Sequence, residues 1–437
     1  MLRRALAVAA AAALVPLVGT ALTHAPASAA VAALAYGPGN NCAYRPGQVV
    51  TATTLTGPQL SAVNRRLVRS GLGTLTRTPD ATVGGDNQAT LYALSSGDPL
   101  HAADIVSSMG YEAQPNFAVG FTPNWAYSPG SPATPAPGYV GTPVRNAPSP
   151  TTIIGVVDTG FSSKGWPAGW PRAVSVFGPT GEVTTGPVGG HGTYIASLIT
   201  QIAPNANIAV SRPARLDMQT DPKTGLDYPV IDDFGVGTAI DGLNLKAKAG
   251  VISLSLGTYA CSDVANLVTG AARTSGPIAT RQAVLYFHRL DPTHVVVAAA
   301  GNDAHGPGQP QMYPAAFSTT SGFTGGSLGS VSDWLVSAGT NASFSNYGAS
   351  VIVSATGVDT VGFRPQVDKQ AAGAYFWSGT SFATPCVAAT LAAQQANIGI
   401  PMIETWLSTA RSIGARPGRF SSGIANAPID MACAVKF

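Results

Sequence analysis

Residues 152–160 read TIIGVVDTG. Two isoleucines and two valines around one glycine form a run too short for an ordinary helix. It shows no polar alternation. Such a run reads as a strand covered on both faces, the signature of a parallel sheet. Two further runs have the same character: VISLSLG at 251–257 and HVVVAAAGN at 294–302. Helical patterns lie between and after them, at 232–250, 277–292, 379–399 and 403–414. Apolar strands alternating with helices predict an α/β fold in three layers around a mainly parallel sheet.

Composition narrows the class. Of 437 residues, 45% are hydrophobic and 10% charged, which excludes a disordered polyelectrolyte and predicts a large core. Against 24 Lys and Arg stand 21 Asp and Glu, with no dense basic run, so nucleic acid is not expected as a partner. The first 30 residues carry Arg3 and Arg4, an apolar stretch from Ala5 to Leu22, and the small residues APASAA. That is the pattern of a cleaved signal peptide, with an uncleaved anchor as the alternative. No later stretch is long and apolar enough for a membrane anchor. A secreted protein is expected. Export permits disulfides among Cys42, Cys261, Cys386 and Cys433, and four cysteines allow three complete pairings.

Residues 42–119 form a separate pattern. YRPGQVVTATT (44–54) is strand-like, and 57–71 place Leu60, Val63 and Leu67 on one helical face. Two strand-like runs, a second short helix at 98–110 and a last strand at 111–119 follow. The order β-α-β-β-α-β predicts a small ferredoxin-like α+β unit spanning 31–120. Residues 121–150 are rich in Pro, Ser, Gly and Ala and read as an exposed linker. The large α/β domain takes 151–437.

Ligands of a parallel sheet bind beyond the carboxyl ends of its strands. Asp158 and Asn302 stand at two such ends. His191, in GGHGT (189–193), and Ser381, in SGTSFATP (378–385), stand at helix starts. An acid, an imidazole, a hydroxyl and an amide at one sheet edge are what nucleophilic acyl transfer needs. The base activates the hydroxyl, the acid orients the base, and the amide stabilises the oxyanion. Taken singly, Ser381 could serve only as a helix cap and Asp158 or Asn302 only as turn formers.

VVDTG, GGHGT and SGTSFATP, in that order, resemble the signature blocks of the subtilisin-like serine proteases, the subtilases. IAPNANI (202–208), SLG (255–257), AAAGN (298–302) and ASFSNYG (342–348) are also similar to that family. The resemblance covers about 150–415. It implies a serine endopeptidase in which Ser381 attacks, His191 is the base, Asp158 orients it, and Asn302 helps form the oxyanion hole. It further implies that Ser255, Leu256 and Gly257, with Ala298, Ala299, Ala300 and Gly301, line the cleft for a peptide or protein substrate. The 31–120 unit then resembles a subtilase propeptide, an intramolecular inhibitor; a permanent accessory domain is the alternative. Should that unit leave, Cys261 is expected to pair with Cys433, with Cys386 a buried thiol. Asp217 and Asp221 could help hold calcium, which many subtilases use, but no motif supports it. No other cofactor is expected. Asp232 and Asp233 read as solvated at a helix start.

Several positions depart from the family pattern: in VIVSATG (351–357), Ser354 and Thr356 stand where APG is usual. Tyr194 and Cys386 stand where histidines are usual, which suggests a repacked contact between two helices. An α/β-hydrolase would need a histidine after its nucleophile. None follows Ser381, and a catalytically silent binding protein would be favoured only by a missing triad member.

Overall fold

The structure is a computed structural model. It describes residues 34–431 except 38–41, 87, 121–132, 138–151, 171–173, 215, 221–224, 226, 262–264, 272–275, 325–331, 333 and 399–428. The expected signal, most of the linker, the 403–414 helix and Cys433 lie outside the described residues.

The N-terminal unit runs β1 (Ala35–Tyr36), β2 (Ala43–Thr51), α1 (Gly57–Arg69), β3 (Leu75–Val83), β4 (Ala89–Leu94), α2 (Pro99–Ser108) and β5 (Ala113–Gly120). From β2 onward this is the expected β-α-β-β-α-β order. Its helices begin where the sequence can cap them. Asp98 accepts from the N–H groups of Leu100 and His101. Thr56 and Gln59 form a capping box at α1. Strand alternation splits the apolar residues between two faces. Val49, Leu75 and Tyr92 face α1 and α2, packing with Val63, Leu67, Ile105 and Val106. Val50, Val83 and Leu91 face the other way, onto Phe234, Ile278 and Ala279.

A two-residue strand, β6 (Thr134–Pro135), leads to the large unit. Next come β7 (Ile153–Val157), β8 (Val174–Phe177), α3 (His191–Ile202), β9 (Ile208–Ser211), β10 (Asp217–Thr220), β11 (Asp227–Asp232), α4 (Asp233–Gly242) and β12 (Ala249–Leu254). Then follow α5 (Ile278–Leu290), β13 (Val295–Ala299), β14 (Leu335–Gly339), β15 (Val353–Ala355), β16 (Thr360–Arg364), β17 (Gly373–Trp377), α6 (Thr380–Ile398) and β18 (Ile429–Met431). Eight strands form one parallel sheet in the order β18-β15-β14-β13-β12-β7-β9-β8. Every residue of β12 and β13 is buried, so both faces of the sheet are covered. The helix α3 is buried almost all round, which is why its sequence shows no clean polar face.

Two findings go beyond the expected fold. The hairpin β10–β11 belongs in sequence to the large unit, yet β11 pairs antiparallel with β5, aligning Val230 with Gly120 and Asp232 with Ala118. The small unit's sheet therefore continues into the large one. The second finding is the disulfide Cys42–Cys261, spanning 219 residues of sequence. It replaces the expected Cys261–Cys433 pair. Cys42 leads into β2 and Cys261 lies in a turn after β12, and docking of the two units brings them to a Cα separation of 4.9 Å. Cys386 is not a free thiol either: it is disulfide-bonded.

Candidate active site

Asp158 follows β7 directly, and His191 opens α3. The imidazole Nδ1 lies 2.8 Å from Asp158 Oδ1. The same carboxylate oxygen accepts from the Thr159 N–H at 2.8 Å and from the Thr159 hydroxyl at 3.2 Å. With Nδ1 carrying the proton toward Asp158, Nε2 is left as the basic nitrogen. The glycine after His191 is required by space. Its N–H donates to Thr159 Oγ1 at 2.8 Å, and a Cβ there would sit 2.2 Å from the Gly160 carbonyl oxygen. Aromatic rings of Trp377 and Phe382 flank the imidazole, with centroids 5.4 and 5.5 Å away. These two residues bracket the segment that carries Ser381.

Ser381 is the second residue of α6. Its hydroxyl reaches the Ser255 carbonyl at 3.4 Å. Pro385 explains a further contact. Proline has no N–H, so the Ser381 carbonyl four residues earlier lacks its usual helical donor. The Ser255 hydroxyl donates to that carbonyl at 2.7 Å instead. Ser255 therefore holds the helix start rather than presenting its side chain to a substrate.

Asn302 lies just past β13. Its Oδ1 accepts from Thr380 N at 2.8 Å and Thr380 Oγ1 at 2.9 Å. This turns the amide nitrogen toward Gly379, within 3.4 Å of where a Cβ on that glycine would stand. Thr380 also accepts from Gly301 N at 3.1 Å, tying the two segments together. Gly301 has φ 106°, a left-handed conformation that only glycine adopts without strain. Asn346, in the ASFSNYG stretch, donates to the Ala300 carbonyl at 2.8 Å and accepts from Asp303 N. Ala298, Ala299 and Ala300 are all buried. Leu256 is buried as well, while Gly257 offers its backbone: its N–H and C=O pair with Gly120 at 2.9 and 3.0 Å. Asp158, His191, Asn302 and Ser381 are all at most 8% exposed.

Glu182 had no place in the sequence-based reading. Its Oε2 accepts from Thr193 N at 2.7 Å and Thr193 Oγ1 at 2.8 Å, which anchors the first turn of α3. Among the described residues its Oε1 and Asp158 Oδ2 are buried without a well-formed hydrogen bond. Burial pushes the Glu182 carboxyl up to about 7, and the Asp158 charge adds to the rise. No motif flags it, because GEV at 181–183 has nothing characteristic.

Tyr194, the first departure, packs its ring on Phe382 and Trp377, with centroids 5.0 and 5.3 Å away. Its hydroxyl bonds the Thr360 carbonyl at 2.5 Å. The helices α3 and α6 thus meet through aromatic packing, and Cys386 lies one turn beyond Phe382. Asp232 and Asp233 are buried, not solvated. Asp232 caps α4 through Gly235 N and lies 3.6 Å from Arg45. Asp217, considered for calcium, pairs with Arg45, and Asp221 lies outside the described residues. Among the described residues no group of three or more His, Cys, Asp or Glu could hold a metal.

A strand-end Asp bonded to a helix-start His, with a Ser at the start of the buried helix beside it, defines the class. The family model described as the Subtilase family matches residues 149–411, well over half the chain. The chain belongs to the subtilase family. No curated protein compared with it matches. Among solved structures, fervidolysin from Fervidobacterium pennivorans, a keratinolytic enzyme related to subtilisin, superposes with a TM-score of 0.54 at 15% identity. The match covers 89% of this chain and 60% of that one, and at this identity it speaks for the fold alone. The self-cleaved protease domain of PatA matches with a TM-score of 0.43 at 20% identity, over 65% of this chain and 94% of that one.

Proposed function

We propose that this chain is a serine endopeptidase, exported through residues 1–30 and made as a self-inhibited precursor. The observation that carries the reading is the 2.8 Å contact between His191 Nδ1 and Asp158 Oδ1 beside the Ser381 helix. His191 Nε2 takes the proton from Ser381 Oγ as that oxygen attacks the scissile carbonyl. The Asn302 amide and the Ser381 N–H donate to the resulting oxyanion, and the N-terminal dipole of α6 adds to them. His191 passes its proton to the leaving amine, and water then hydrolyses the acyl-enzyme by the same route. Substrate backbone adds a strand at Gly257, in the way β5 does through Gly120. That pairing supports self-inhibition, because the N-terminal unit already takes up the edge a substrate would need. Disulfides at Cys42, Cys261 and Cys386 fit an oxidising, extracellular compartment. Among the described residues no helix is long and apolar enough to cross a membrane.

The test compares wild type with Ser381→Ala by intact mass, fluorophosphonate labelling and casein hydrolysis. Wild type is expected to be cut between its two units and, once its disulfides are reduced, to take the label and digest casein, with Ser381→Ala doing none of these. Two inert, unlabelled proteins would end the endopeptidase reading.

A further inference from the structure

A propeptide that only folds and inhibits its enzyme is expected to leave once the linker is cut. The contacts between the two units argue otherwise. Among the described residues those made by the N-terminal unit come from before residue 121, apart from the separate pairing of Thr134 and Pro135 with β17. The Cys42–Cys261 disulfide is enclosed by Tyr44, Leu100, Phe117 and Ala260. Asp233, at the start of α4, accepts from Gln114 of the small unit at 3.0 Å. It also accepts from Ala279 N and Thr280 N at the start of α5, at 2.9 and 2.8 Å. Arg281 grips Glu112 with both nitrogens, at 2.7 and 2.6 Å. Asp241 accepts from Gly84 N, and Asp104 accepts from Leu267 N. These contacts surround the β5–β11 pairing, which leads to the Gly120–Gly257 pair at the cleft.

We propose that the surface formed by β11, the starts of α4 and α5, and Cys261 is a permanent seat for the chain's own N-terminal unit. Linker cleavage then yields a disulfide-joined two-chain protein, not a free protease. Hydrolysis of one linker peptide bond adds one water and leaves the S–S bond intact. The new chain end beyond Gly120 stays on Gly257, so the protein remains latent after the cut. A free inhibitor is lost on dilution; a tethered one works at an effective concentration set by its tether, about millimolar for a short connection. Latency therefore ends only when the disulfide opens or the N-terminal unit is itself digested. The inference rests on the endopeptidase reading for its activity readout alone.

The experiment places a recognition sequence for an added protease within residues 121–133 of the full chain, so that the cut does not depend on Ser381. Cut wild type is expected to run as one covalent species without reductant and as two with it. Its peptide hydrolysis per mole is expected to stay constant on serial dilution. Cut Cys42→Ser is expected to give two species without reductant, and its activity per mole should rise by about tenfold or more as the inhibitor dissociates. Cys261→Ser substitutes if Cys42→Ser does not fold, and the wild-type mass needs no variant. Two separate species from unreduced wild type, or identical dilution curves, would overturn the proposal. Failure of the endopeptidase reading looks different: no form labels or cuts at any dilution, while the mass still decides the tether.

Discussion

Gly120 and Gly257 exchange both of their backbone hydrogen bonds, at 2.9 and 3.0 Å, two residues from the Ser255 carbonyl that meets the Ser381 hydroxyl. In the proposed endopeptidase, the edge that binds the chain's own strand this way also takes the substrate strand. N-methylation of the substrate amide that takes the place of Gly120 N should lower kcat/KM about three- to tenfold, the worth of one hydrogen bond. Methylation one residue along the same peptide is the control. Equal losses at both positions would mean that substrates do not use this edge.

The Ser255–Ser381 contact makes a second expectation. Ser255→Ala leaves the Ser381 carbonyl without a donor, because Pro385 cannot supply one. The cost should be about 1–3 kcal/mol of stability, with a lowered kcat from the shifted nucleophile. Adding Pro385→Ala restores a backbone N–H at the right position and should recover part of both losses. A double variant no better than Ser255→Ala, by urea denaturation and by kcat, would refute the account.

Glu182 ties stability to pH. Its ordinary value is 4.5, and burial raises it to about 7 in the folded protein. Below pH 4.5 folded and unfolded chains both hold the proton. Between 4.5 and 7 the folded state holds a proton that the unfolded state has released, so stability falls as pH rises through this window. Glu182→Gln keeps an acceptor for Thr193 and cannot ionise. Its melting temperature relative to wild type should climb from pH 4.5 to 7 and level off above. Asp233 and Asp241, both raised to about 6 mainly by burial, titrate in both proteins and cancel. A pH-independent difference would show that Glu182 is not held protonated.

Asp233 joins the two units. Asp233→Ala strands the N–H groups of Ala279 and Thr280 at the start of α5 and removes the partner of Gln114. A loss of about 3 kcal/mol is expected in urea unfolding, from the stranded donors. Gln114→Ala removes one hydrogen bond and should cost clearly less. Equal costs would place the weight of this junction in the Gln114 contact rather than at the helix.

The sequence by itself determined whatever depends on local periodicity and on spacing within one block. IIGVV, VISLSL and HVVVAA were legible as parallel strands because apolar runs this short and rich in β-branched residues fit a sheet covered on both faces better than a helix. The β-α-β-β-α-β order of the small unit was legible from two amphipathic helices between alternating strands. Asp158, His191, Asn302 and Ser381 were legible as candidates because each stands at a strand end or helix start. Only the tertiary structure decided what depends on which surfaces meet. DYPVID became a strand on the edge that β5 offered, and DMQT pairs in turn with DYPVID. Cys42 chose Cys261 because docking brought their Cα atoms to 4.9 Å, a proximity that no spacing along the chain encodes. Asp232, Asp233 and Glu182 were unreadable for the same reason. A carboxylate in sequence looks solvated, and only the packing that buries it, with the donors that packing supplies, makes it structural.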